Sequence, residues 1–128
     1  MRVMRARKWG FTLIELIVVL AVVATLLTLA VPRYFASIER SKEAVLKENL
    51  NQMRDAIGRY YADKGRYPES LEGLITDKYL RKPPVDPITE SITTWIVVPP
   101  EDTSKGAVYD VKSGAQGKAS DGTPFAEW

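Results

Sequence analysis

An apolar run of 21 residues, 11–31, interrupted by a single charge at Glu15, constrains this chain more than any other feature. At a helical rise of about 1.5 Å per residue it is about 31 Å long, matching the hydrocarbon thickness of a bilayer. Ahead of it stand Arg2, Arg5, Arg7 and Lys8, with no acid in the first ten residues. A basic segment before an apolar span places the N-terminus in the cytoplasm and sends the remainder across the membrane. Glu15 is the anomaly. A carboxylate within such a span costs about 2.5 kcal/mol on insertion scales, so it demands a partner or a neutral form.

Three readings of the run compete. A secretory signal would end at a small-residue cleavage site, for which Thr28-Leu29-Ala30 qualifies, but the run is long and Glu15 breaks its core. A plain membrane anchor explains the length and not the carboxylate. The third reading rests on Gly10-Phe11-Thr12-Leu13-Ile14-Glu15-Leu16, which resembles the prepilin cleavage motif of type IV pilins and type II secretion pseudopilins. The resemblance implies that a prepilin peptidase cuts between Gly10 and Phe11, that Phe11 is then N-methylated, and that Glu15 takes part in subunit assembly. The physics agrees. Gly10 lets the backbone lie close to a peptidase surface. The Phe11 amine, positive and in apolar surroundings, is compensated by a Glu15 carboxylate from a neighbouring subunit. Removing one partner of a buried pair costs about 3–5 kcal/mol, so assembly favours the register that pairs them. The simpler account of Glu15 is a carboxylate near the positive end of a helix.

The charge balance changes once the leader is set aside. Taking its four cations from the chain's 18 leaves 14 against 16 acids, and the charge is uneven. Residues 33–66 hold eight basic and five acidic side chains, and residues 67–128 hold six and ten. Opposite signs on the two halves suit staggered packing of subunits, and neither half is basic enough for a nucleic acid partner. The chain has no Cys and no His. That excludes disulfides, thiol nucleophiles and zinc–thiolate sites, and removes the commonest general base. The remaining acids and hydroxyls form no nucleophile–base set, so no enzyme is expected.

Downstream, Pro32 should kink or locally break the helix. Beyond it, Leu46, Leu50, Met53, Ile57 and Tyr60 alternate in spacings of four and three, with Val45 and Tyr61 widening the stripe. This predicts an amphipathic helix continuing to residue 63 and packing on its own domain's core. Glu43–Lys47 and Asp55–Arg59 stand as i,i+4 pairs, and Gly65 as the C-cap. Ser70 predicts the N-cap of a short helix through Leu74 and Ile75, followed by a proline-stiffened loop at 82–87. Residues 93–98 and 107–111 read as strands of a small antiparallel sheet, with a further short strand near 125–128 and loop at 113–124.

The second half extends the resemblance. Tyr67-Pro68, Gly73-Leu74, Tyr79-Leu80, Pro84, Asp86-Pro87 and Tyr109-Asp110-Val111 resemble the G-type pseudopilins of type II secretion. Two departures stand out. Ile88-Thr89-Glu90-Ser91 replaces the family's Trp-Gly step, and Gln116 sits where the family's Ca²⁺ loop has a second Asp. The resemblance implies Asp110, Ser113 and Asp121 as Ca²⁺ ligands. The competing account is a metal-free loop in which Asp side chains accept nearby backbone N–H groups.

The expected architecture is α+β and pilin-like: a long N-terminal α-helix, transmembrane in its first half, packed on a small antiparallel β-sheet domain. Its parts are a leader at 1–10, a membrane and assembly helix at 11–31, an amphipathic half at 32–65 and a periplasmic domain at 66–128. The resemblance implies an inner-membrane, single-pass subunit that polymerises with itself into a periplasmic filament driving protein export. Its implied partners are the prepilin peptidase, the inner-membrane assembly platform and minor pseudopilins. The alternatives are a type IV pilin or minor pilin for adhesion, motility or DNA uptake, and a monomeric membrane-anchored binding domain.

Overall fold

The structure, a computed structural model, describes residues 10–128. The chain forms two compact units, one reaching Ser37 and the other spanning Ile38–Trp128. Helix α1, Leu13–Lys64, contributes to both.

In the first unit α1 presents apolar side chains all round, exposed from Leu13 to Val31. A helix apolar on every face fits an apolar solvent or other apolar helices, and this one is long and apolar enough to cross a membrane. Its hydroxyls are satisfied internally: Thr25 donates to the Ala21 carbonyl at 2.8 Å and Thr28 to that of Ala24 at 2.7 Å. The local break anticipated at Pro32 is not there, since α1 continues through it. Proline removes one N–H donor, and the turns on either side keep theirs.

In the second unit α1 buries Leu46, Leu50, Met53, Ile57 and Tyr60, the stripe that the spacing predicts, and Ala56 with them. Val45 falls outside it and stays about half exposed. One residue before Leu46 is a 100° turn away from the seam, which the neighbouring elements do not reach. The helix ends at Gly65, whose φ of +68° is the left-handed conformation of a C-cap, with its N–H on the Tyr61 carbonyl.

Helix α2, Leu71–Thr76, starts at Ser70, whose hydroxyl accepts the Gly73 N–H at 3.1 Å. Its end was not legible in advance. Lys78 takes φ +65°, the Tyr79 N–H bonds the Leu74 carbonyl and the Lys78 N–H that of Ile75. These are the paired bonds of a Schellman turn, made here without glycine.

Strands β1, Ile96–Val98, and β2, Asp110–Lys112, pair antiparallel, with Val97 opposite Val111. Both are shorter than predicted, and β2 begins three residues late. The reason is that the Ala107 and Val108 N–H groups both go to the Pro68 carbonyl, while Tyr67 donates to Lys105. Gly106 permits this approach: a Cβ there would lie 2.2 Å from the Tyr67 carbonyl oxygen. The short strand anticipated near the end is instead a 3₁₀ turn, Phe125–Glu127, whose Phe125 enters the core. Leu74, Val108, Val111, Ala115 and Ala119 complete that core. Tyr61 stacks on Tyr67 at 4.5 Å and Tyr67 meets Tyr109 edge-on at 5.3 Å, so these tyrosines serve packing between helix and domain.

Candidate functional site

The basic leader, with Arg2, Arg5, Arg7, Lys8 and Trp9, lies outside the described residues, apart from its last residue, Gly10. Gly10, Phe11 and Thr12 are non-helical and exposed, and α1 starts at Leu13. The bond between Gly10 and Phe11 is therefore free of helical hydrogen bonding and open to solvent. A Cβ at Gly10 would meet nothing within 4 Å. No packing within the described residues demands glycine at this point, so the demand must come from outside it.

Glu15 finds a partner inside its own helix. Its N–H donates to the Thr12 hydroxyl at 3.1 Å, and its carboxylate accepts the Thr12 N–H at 3.4 Å. Thr12 is the N-cap and Glu15 the third helical residue, so the two form a reciprocal capping box. The pattern Thr-x-x-Glu was readable in the sequence, hidden inside the longer motif. Phe11 is 83% exposed, and the apolar side chains from Leu13 to Val31 are exposed as well. The site is thus a single carboxylate, weakly held, at the head of a bare apolar rod.

The side chains of the second candidate set, Asp110, Ser113 and Asp121, each have partners within the chain. Asp110 accepts the Arg54 Nε–H at 2.8 Å and the Val111 N–H at 2.7 Å. The Ser113 hydroxyl, buried, donates to the Asp86 carboxylate and accepts the Ala115 N–H at 3.0 Å. Asp121 accepts the Thr123 hydroxyl at 2.6 Å and its N–H at 3.0 Å, bonds that hold its carboxyl below the usual range. Among the described residues no three Asp, Glu, His or Cys side chains stand together. Gln116 is exposed.

Three features escaped sequence reasoning. Asp86 is wholly buried, accepting from Ile88 at 2.9 Å and Thr89 at 3.3 Å as well as from Ser113. Arg54 reaches the Val111 and Trp128 carbonyls, at 3.1 and 2.6 Å, besides Asp110. Glu43 and Lys47 turn to the later segment: Glu43 takes both the N–H and the hydroxyl of Ser120, and the Lys47 ammonium sits 4.5 Å from the centre of the Trp128 ring. Arg54 did carry one signal, a charge flanking the apolar stripe beside Met53. The Asp55–Arg59 pair forms as anticipated, at 3.4 Å.

Residues 5–31 match the family profile described as the prokaryotic N-terminal methylation motif. Type II secretion system core protein G of Pseudomonas aeruginosa is 31% identical, over 65% of this chain and 70% of that one. The core protein G of Aeromonas hydrophila is 30% identical over 65% of this chain and 57% of its own length. The type IV major pilin protein PilA of Myxococcus xanthus is 38% identical over 54% of this chain and 32% of its own. The match thus spans little more than half of the Aeromonas protein and a third of the Myxococcus one. No solved structure matches the chain significantly.

Proposed function

The chain belongs to the type II secretion core protein G family of pilin-like proteins, and from that premise we propose that it is a pseudopilin, a structural filament subunit whose polymerisation drives protein export. It is no enzyme; its work is mechanical. It waits in the inner membrane as a single-pass protein with a cytoplasmic leader and a periplasmic domain. A prepilin peptidase cuts between Gly10 and Phe11 and Phe11 is methylated. An inner-membrane platform then adds subunits to a filament, tipped by minor pseudopilins, that grows into the periplasm.

One observation carries this reading. The only charge on the bare apolar rod, Glu15, sits four residues beyond an exposed, non-helical Gly10–Phe11 bond. Once that bond is cut, the new amine and the carboxylate lie on the same rod end. Stacked copies then pair the amine of one with the carboxylate of the next. The apolar surface from Leu13 to Val31 passes from lipid to neighbouring helices with little change in environment. A type IV pilin is the second reading, favoured by the resemblance to the Myxococcus pilin, which covers a smaller share of both proteins.

Expression with a prepilin peptidase tests the reading. Mass spectrometry of the processed chain should find an N-terminus at methylated Phe11, and electron microscopy should show thin filaments. An N-terminus at Val31 would mark ordinary signal processing and overturn it. Loss of protein export on deletion, with surface pili unchanged, separates the two family readings.

A further inference from the structure

The loop that resemblance would assign to Ca²⁺ is not built for it. Ca²⁺ takes six to eight oxygens at 2.3–2.6 Å, carboxylates foremost. Here Asp110 is in contact with a guanidinium, and a dication placed beside Arg54 would be repelled by it. The Ser113 hydroxyl is buried and spent on Asp86 and Ala115. Asp121 is occupied by Thr123.

What joins these segments is Arg54. From α1 its fork contacts three oxygens of two distant stretches: the Asp110 carboxylate and Val111 carbonyl of β2, and the Trp128 carbonyl. A cation gathering oxygens from separate stretches of chain is what a structural Ca²⁺ does. Side-chain exposures of 33% and 30% leave the Arg54–Asp110 pair partly buried, and its hydrogen bonds are of the charge-assisted kind. Two further contacts lie on the same face of α1. Glu43 and Lys47 are eleven and seven residues before Arg54, three and two turns back, and they hold Ser120 and the Trp128 ring.

We propose that Arg54 is a built-in replacement for a structural Ca²⁺: with Glu43 and Lys47 it staples residues 110–128 to α1, and the domain is stable without calcium. The guanidinium carries its charge without any bound ion, so the staple needs no cation from outside.

The test uses the full chain in detergent micelles, with thermal unfolding followed by tryptophan fluorescence in millimolar Ca²⁺ and in chelator. The parent should melt at one temperature in both. Arg54→Met, which keeps the length and loses the charge, should melt lower by about 5 °C or more in both. Arg54→Lys should fall between, because an ammonium cannot span three acceptors as a fork does. Limited proteolysis below the melting range should release residues 113–128 faster from Arg54→Met than from the parent. A parent melting point raised by Ca²⁺ over chelator would overturn the proposal. So would an Arg54→Met or Arg54→Lys chain that melts and is cleaved as the parent is. Should Arg54→Met fail to fold, the chelator comparison on the parent and the intermediate position of Arg54→Lys still decide.

Discussion

Glu15 has two partners available at different stages of the proposed assembly. In the single chain it closes a capping box with Thr12, the carboxylate contact being the longer of the two at 3.4 Å. A carboxylate held that loosely can be drawn to a positive amine, whose full opposite charge adds a Coulombic attraction that a backbone N–H lacks. Substitution separates the two roles. Glu15→Gln keeps a side chain that serves a capping box and loses the charge. Glu15→Val loses both and removes the insertion penalty. Both variants are expected to enter the membrane at least as well as the parent and to form few filaments, counted by electron microscopy. If Glu15→Gln assembles as the parent does, capping is the whole role of the residue and the charge pair is wrong.

At the scale of elements, the end of α1 is locked to the turn after α2. The Tyr79 hydroxyl donates to Asp63 at 2.7 Å, Lys64 pairs with Asp77 at 3.0 Å, and the Tyr60 and Tyr79 rings lie 5.3 Å apart. The Asp63 hydrogen bond, then burial, raises the Tyr79 pKa, and the hydrogen bond from Lys64 to Asp77 raises that of Lys64. Both groups bind their protons more tightly folded than unfolded. Their contribution is therefore complete below the unfolded values, near 10, and is lost as pH rises through the raised folded values. An ultraviolet titration of tyrosinate should show one tyrosine ionising late, and Asp63→Asn should bring it back to the ordinary range. The gap in melting temperature between parent and Asp63→Asn should close at alkaline pH; a gap constant across that range would show that the bond contributes nothing to pH-dependent stability.

At the scale of the molecule, the side chains of the buried core lie between Leu46 and Phe125, within the unit that starts at Ile38. A fragment of residues 38–128 should therefore fold by itself, remain in solution without detergent and unfold in one cooperative transition with intact near-ultraviolet dichroism. Non-cooperative melting would mean that the apolar stretch contributes to the domain's core. The two units thus have separate requirements: the first needs an apolar environment or partner helices, and the second supplies its own interior.

Much of this was legible in the residue order, because local rules govern it. The apolar length, the basic leader and Glu15 mark a segment long enough to cross a membrane and the stretch that matches the N-terminal methylation motif, without any tertiary contact. The 3–4 spacing from Leu46 to Tyr60, the N-cap at Ser70 and the C-cap at Gly65 are equally local, and each stands where the spacing puts it. What the order of residues left open depends on which distant groups meet. The extent of β2 is decided by the Pro68 carbonyl, which captures two N–H groups from the predicted strand. Asp86 became a buried acceptor because Ser113, 27 residues away, closes over it. Glu43 and Lys47, an ordinary helical pair on paper, are turned outward to Ser120 and Trp128. Most decisive is the guanidinium of Arg54 against Asp110, 56 residues further on: what a strand-end carboxylate pairs with depends on what folds against it, and only the tertiary structure brings that cation there.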